Sequence, residues 1–395
     1  MHAELNPYSP GAGLRPPELV GRDAEVDAFD LLIARSRRNQ AARSMILHGL
    51  RGVGKTVLLN QFRLQADRAE WLVVDLEGQT SVAGRQSARR RLAREIALTA
   101  RRLHRGRAVS AAVRRALGTV TSFGAHFGSV GFDIGIDPST GRADSGVIEI
   151  DLEELIEDLA PALREQHRSF ALFVDELQDL DPELLAALLS VQHRAGQRGW
   201  PFVIVGAGLP NVPATLTASR SYAERLFEYR EIGSLPSGAA GAALVLPAER
   251  SGVSYAPDAL DLLIDASGGY PYYLQTYGAA AWDLATGRHI TRADAEAAID
   301  RGNAELDSGF FPARWDRATR VERQYLVAMS DDPSGVSGTA VVASRLGVEP
   351  KATSPARQSL IAKGIVYSPE RGRVAFTVPN MGDFVRRQAD LDMDD

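Results

Sequence analysis

Gly49-Leu50-Arg51-Gly52-Val53-Gly54-Lys55-Thr56 has the spacing Gly-x-x-x-x-Gly-Lys-Thr, that of a loop built to hold phosphates. In such a loop the glycines let the backbone curl until successive amides aim at a β-phosphate. Lys55 then reaches the β- and γ-oxygens, and the Thr56 hydroxyl ligates Mg²⁺. Gly49, Gly52, Val53, Gly54, Lys55 and Thr56 are therefore the expected binders of a nucleoside triphosphate, ATP or its product ADP. The flanks agree. Residues 44–48 read as a short buried strand, and Val57, Leu58 and Phe62 fall on one face of a following helix. Composition supplies a second argument: of 45 basic residues only Lys55, Lys351 and Lys363 are lysines. Arginine fills nearly every other cationic position, and this loop requires a compact ammonium in place of a guanidinium fork.

A magnesium carboxylate and a base are expected one strand away. Residues 170–174, Phe-Ala-Leu-Phe-Val, form an uninterrupted apolar run, as in a strand buried on both faces of a parallel sheet. The run ends in Asp175-Glu176. Asp175 is placed to hold the metal through water, and Glu176 to polarise the water that attacks the γ-phosphate. Residues 71–76 and 201–206 read as further strands, with a helix over 182–198 between the last two. The fold class is α/β: a parallel P-loop sheet alternating with helices.

With these motifs in place the chain resembles the AAA+ ATPases, and among them the origin-recognition initiator clade and the related archaeal-type and signalling (STAND) ATPases. The resemblance covers most of the chain. Residues 17–23, Pro-Glu-Leu-Val-Gly-Arg-Asp, resemble the segment that precedes the P-loop in that group and lies against the adenine, which implies contacts from Val20, Gly21 and Arg22. The run 221–227 falls where such ATPases place an arginine that reaches a neighbouring subunit's γ-phosphate, and Arg225 is its candidate. Two departures follow. The fourth strand leads into 206–211, Gly-Ala-Gly-Leu-Pro-Asn, with Asn211 the nearest substitute for a polar sensor. After Ser267-Gly268 the chain gives Gly269-Tyr270-Pro271 where a sensor arginine is sought. That triplet resembles the Gly-x-Pro signature in which the proline, here Pro271, packs near the base. A missing sensor implies slow hydrolysis and a switch-like cycle.

At 395 residues the chain has room for several domains. The expected division is an N-terminal arm over 1–16, a nucleotide-binding core over 17–236 with an insertion at 79–148, a helical lid over 237–311, a winged helix over 312–389, and an acidic tail over 390–395 read as unstructured. The insertion is basic in its first half: between 85 and 115 stand eleven arginines and one acid, Glu95. Leu92, Ile96 and Leu103 fall on one helical side, leaving a cationic face for phosphates or an acidic partner. Residues 130–136 alternate at period two and read as an appended hairpin.

In the last segment, helices over 317–329, 337–346 and 354–363 precede strands over 364–367 and 374–378. This is the order of a winged helix, which also resembles the C-terminal domain of the initiator clade. The arrangement implies Arg357 in a DNA major groove, with Arg371 and Arg373 at the wing meeting phosphates. Residues 318–387 carry ten basic and six acidic side chains, a net of +4, a mild excess. Winged helices also bind proteins, so a signalling or scaffold ATPase with protein partners, or a homo-oligomer, stays open.

The net charge of −5 disfavours global attraction to nucleic acid without excluding a local patch. With no cysteine, disulfides and thiolate metal sites are excluded. No apolar run reaches about 18 residues and no signal-like start precedes Gly13, so no membrane association and a cytoplasmic location are expected.

Overall fold

The computed structural model describes residues 2–11, 13–40, 42–79, 81–103, 110–127, 137–138, 142–332 and 335–394. Its centre is a five-stranded sheet of β1 (Ser44–His48), β2 (Leu72–Glu77), β3 (Phe170–Asp175), β4 (Phe202–Gly208) and β5 (Phe227–Glu231). The order is β2-β3-β4-β1-β5 and every pairing is parallel. Alternation divides the strand residues between two cores. Met45, Leu47, Ala171, Phe173, Val203 and Val205 face one; Ile46, Phe170, Leu172, Val174 and Ile204 face the other. Both faces are thus covered by helices, which is why the strands read as unbroken apolar runs.

On the first face the P-loop helix Lys55–Arg68 and the helix Asp23–Arg37 meet through stacked Phe29 and Phe62, ring centroids 4.6 Å apart, beside Trp71 and Phe173. Burying each ring is worth roughly 1.5–3 kcal/mol. The same core continues into the lid and the C-terminal unit.

On the second face lie the helices Val82–Ala100, Ala111–His126, Ile148–Glu165 and Pro182–Arg198. Leu92, Ile96 and Leu103 are buried there, so the arginine-rich stretch packs its apolar side on the sheet. Some of its arginines are paired: Arg89 with Asp181 and Glu183, and Arg102 with Asp67. Arg90 and Arg91 are exposed. The expected hairpin at 130–136 lies outside the described residues. The helix Pro182–Arg198 is delimited locally. Asp181 accepts the Leu184 amide at 2.8 Å, Pro182 occupies the first turn, and Gly199 closes the helix in the left-handed conformation.

Several elements differ from expectation, among them the start of the helix read over 337–346, where the structure has a strand, Val336–Gly338, ahead of the helix Thr339–Arg345. β4 runs two residues further, to Gly208. β5 was not foreseen; only its Phe227 is buried, so Phe-Glu-Tyr-Arg-Glu carries no strand-like apolar run. Residues 390–394 of the segment read as an unstructured acidic tail belong to a helix, Met381–Asp394, because Met381, Phe384 and Val385 give its start an apolar side that is buried.

Beyond β5 stand the helices Ser237–Arg250, Pro257–Ser267, Pro271–Leu284 and Arg292–Glu305, with a two-stranded parallel pair, Ser254–Tyr255 and His289–Ile290. The chain then passes through a π-helical turn, Leu306–Phe310, and a short helix, Pro312–Trp315. The final elements are, in order, the helix Arg320–Ser330, the strand Val336–Gly338, the helices Thr339–Arg345 and Ser354–Ala362, the strands Val366–Tyr367 and Arg373–Phe376, and the last helix. The strand Arg373–Phe376 is central in an antiparallel three-stranded sheet. Among the described residues no helix is long and apolar enough to cross a membrane.

Candidate functional site

The loop between β1 and the helix Lys55–Arg68 has a shape that only glycine permits at two points. Gly54 lies at φ 93°, in the left-handed region. At Gly49 a β-carbon would come within 2.1 Å of the Ile232 carbonyl oxygen, where the chain leaves β5. The loop lines a cavity of about 320 Å³, the size of a small-molecule pocket.

Lys55 is 8 % exposed, and its ammonium donates to the carbonyls of Gly49 at 3.0 Å and Leu50 at 2.7 Å. Burial pulls it down to about 8 from the ordinary lysine value; Glu176 and Asp175 oppose this and Arg51 adds to it. Thr56 Oγ1 donates to Asp175 Oδ2 at 2.7 Å, and Asp175 Oδ1 accepts the Glu176 amide at 2.9 Å. The end of β3 and the start of the P-loop helix are therefore joined through the two side chains expected at a metal. Both line the cavity, as do Lys55 and Glu176. Among the described residues no group of three or more His, Cys, Asp or Glu side chains is placed to hold an ion.

Glu176 sits at φ 47°, left-handed for a residue with a β-carbon, a strain of about 1–3 kcal/mol that the surroundings must hold in place. Both carboxylate oxygens are engaged. Arg51 Nη1 donates to Oε1 at 2.7 Å and Gln178 Nε2 to Oε2 at 2.6 Å. Gln178 Oε1 in turn accepts the Leu209 amide at 3.1 Å, so this glutamine joins Glu176 to the end of β4. Asn211, the expected substitute at that strand end, instead precedes the helix Val212–Ser219. Its Oδ1 is buried without a hydrogen-bond partner among the described residues, and it does not line the cavity.

Val20 and Pro271 line the cavity. Arg22 lines it too, donating to the carbonyls of Val53 at 3.2 Å and Gly233, which stitches the preceding segment to the loop. Gly21 faces the lid: a β-carbon there would meet Ala239 at 2.7 Å. Arg225, on the short helix Ala223–Leu226, is exposed and off the cavity. Arg371 and Arg373 are exposed at the turn between the last two strands, Arg373 paired with Glu370 at 2.9 Å. Arg357 is half-buried, its charge felt by Tyr325.

No sequence pattern marked Arg51, Gln178 or Arg314, yet Arg51 and Arg314 line the cavity and Gln178 holds Glu176. The N-terminal arm was equally silent. Tyr8 is 5 % exposed, hydrogen bonding with Leu244 and Tyr255 of the lid, and the arm then brings Gly13 and Leu14 to the cavity wall. The C-terminal unit also reaches the loop, where the Arg51 amide donates to the Thr377 carbonyl at 3.0 Å.

Residues 18–205 match the family model described as the AAA ATPase domain, and residues 308–385 match that of a domain of unknown function (DUF8462). No curated protein matches the chain. Among solved structures, the Walker-type ATPase of Pyrococcus abyssi is similar at 14 % identity and a TM-score of 0.59, covering 96 % of this chain and 99 % of that one. The Holliday junction branch migration motor RuvB of Thermotoga maritima gives 16 % identity and 0.46, covering 95 % and 98 %. The Orc1 protein of Aeropyrum pernix in complex with DNA gives 15 % and 0.45, covering 96 % and 95 %.

Proposed function

We propose, from the premise that residues 18–205 are an AAA+ P-loop ATPase domain, that the chain is a nucleotide-dependent switch whose ATP hydrolysis governs a C-terminal winged helix that binds DNA. The observation that carries the coupling is the hydrogen bond from the Arg51 amide to Thr377, because it ties the phosphate loop directly to the C-terminal sheet.

In this reading Lys55 and the loop amides hold the phosphates. The hydroxyl of Thr56 and the carboxylate of Asp175 are hard oxygen donors in contact, the chemistry that suits Mg²⁺ shared with phosphate oxygens. Held by Thr56 and Asp175, such an ion would supply charge neutralisation to the phosphates. Glu176 is the general base for the attacking water. Both oxygens of the Glu176 carboxylate are held, by Arg51 and by Gln178, so turnover requires one of these bonds to open before an oxygen is free to meet the water. Val20, Arg22 and Pro271 would flank the nucleotide. Arg225, exposed and off its own cavity, would serve a neighbouring copy if the chain forms a homo-oligomer.

Seating a polyphosphate against Lys55 favours its charged form, so its pKa rises on binding. ATP affinity is therefore expected to be flat below about pH 7 and to fall as pH rises through about 8. Calorimetry at pH 8 in buffers of different ionisation heat is expected to register uptake of roughly half a proton per ATP. Heat independent of buffer would remove Lys55 from the phosphate contacts.

The order helix, strand, helix, helix, strand, strand supports the winged-helix reading, with Arg357 on the second of the paired helices and Arg371 and Arg373 at the wing. A duplex is expected to be retained in a salt-dependent way that differs between ATP and ADP. Arg371→Ala is expected to lower the slope of log affinity against log salt by about 1, and adding Arg357→Ala to weaken binding further and relax its sequence preference. A second reading, a STAND-like signalling or scaffold ATPase with protein partners, draws on the pairing of Arg373 with Glu370 and on Val341 and Val348, 46 % and 44 % exposed on the C-terminal unit. Nucleotide-dependent assembly with no duplex retention at low salt would favour it.

A further inference from the structure

We propose that Arg314 binds the terminal phosphate of the nucleotide, so that the C-terminal segment itself distinguishes a triphosphate from a diphosphate. The inference rests on the ATP reading above and assigns to a residue outside the ATPase domain a part in recognising the substrate.

Arg314 stands on the short helix Pro312–Trp315 and lines the same cavity as Lys55, Asp175 and Glu176. It is half-buried, with its guanidinium 4.4 Å from the centroid of the Phe310 ring and one nitrogen donating to the Phe310 carbonyl. Among the described residues it makes no salt bridge. The charges nearest it are unfavourable, those of Arg51 and Arg317, and together with burial they depress its pKa to about 10, burial contributing most. A guanidinium withdrawn from water, facing another guanidinium and lacking a carboxylate, is costly unless an anion completes it.

A second observation points the same way. Tyr270 is 3 % exposed, and its hydroxyl is buried with no hydrogen-bond partner among the described residues. That hydroxyl lies against the phosphate loop: a β-carbon on Gly52 would stand 3.2 Å from it. Both Arg314 and Arg51 act on the Tyr270 hydroxyl electrostatically. Two arginines and an unanswered donor thus gather at one edge of the loop. Arg51 is also the partner of Glu176, so this edge adjoins the proposed base. An oxygen-rich dianion in the cavity satisfies the two arginines that line it, with Tyr270 packed behind them, and the group of ATP that ADP lacks is the terminal phosphoryl.

The test compares ADP with the non-hydrolysable triphosphate AMP-PNP, each with Mg²⁺, on the full chain by calorimetry. Arg314→Ala is expected to weaken AMP-PNP about ten- to hundredfold while ADP shifts less than about threefold, and Arg314→Lys is expected to recover part of the loss. Tyr270→Phe, which removes a hydroxyl outside the cavity lining, is expected to leave both nucleotides within about threefold and the thermal midpoint of the nucleotide-free protein unlowered. Arg314→Lys, and Arg314→Gln, which keeps most of the side-chain stem without the charge, carry the same comparison if Arg314→Ala does not fold. Equal losses for both nucleotides, or none, in a protein whose wild type binds both would overturn the assignment alone. A wild type that binds neither nucleotide would bring down the ATP reading and this one with it.

Discussion

Lys55→Ala is expected to bring ATP binding below detection at millimolar nucleotide, with the fold intact by circular dichroism. Removing one partner of a buried, hydrogen-bonded charge pair costs about 2–5 kcal/mol, or roughly 30- to 4,000-fold in affinity. The upper part of that range applies here because no other lysine is near: Lys351 and Lys363 are in the C-terminal unit, and Lys363 is committed to Glu322 at 2.6 Å. Stability is expected to hold or rise slightly. In the nucleotide-free chain the Lys55 ammonium is desolvated and held by the carbonyls of Gly49 and Leu50, so truncation relieves a buried charge and offsets the cost of freeing those two acceptors. Lys55→Arg is the more demanding control. A guanidinium is too broad to lie back on Gly49 and Leu50, and affinity is expected to stay far below wild type although the charge is kept. Undiminished ATP binding by Lys55→Ala would remove the phosphate loop from the mechanism.

How legible the site was depends on how local each constraint is. The P-loop could be read because its shape is demanded residue by residue: a left-handed Gly54, and a Gly49 with no room for a β-carbon. β3 could be read because both of its faces are buried, which leaves five consecutive apolar residues and a carboxylate pair at the end. β5 could not, since it is an edge strand whose polar residues face solvent and whose pairing with β1 leaves no local trace. Gln178 was hidden for a different reason. Its role arises from a 3₁₀ turn that swings it toward Leu209, just past the end of β4, and no spacing rule marks that turn. Arg51 occupies a variable position of the loop pattern, and its importance lies in a partner 125 residues away. Arg314 is further removed, delivered by a π-helical turn after the lid in a chain where arginine is the default cation. The sequence therefore exposes those parts of the site that the backbone dictates and conceals those made by packing between distant segments.

Glu176→Gln is expected to bind ATP within about threefold of wild type and to lose turnover by about 10²–10⁴-fold, the usual contribution of a general base. Binding survives because Glu176 accepts only from Arg51 and Gln178 among its side-chain contacts and is not placed to donate to phosphate. The substitution also removes a negative charge close to where the terminal phosphate would lie, which offsets any loss from a loosened Arg51. The structural cost is small and specific. One oxygen of the new amide still accepts from Arg51, but its nitrogen would face the Gln178 amide nitrogen, donor against donor. Gln178 can turn over to present its oxygen, and then the Leu209 amide loses its acceptor, a cost of about 1 kcal/mol. A drop of about one to two degrees in the thermal midpoint is therefore expected, too little to account for a loss of turnover of that size. Single-turnover and steady-state phosphate release, measured with ATP in excess over its dissociation constant, separate the alternatives. Loss confined to the chemical step, with ATP still bound, is the expected result. Equal loss of binding and turnover would mean that Glu176 supports the architecture of the cavity, with the base to be sought elsewhere around it.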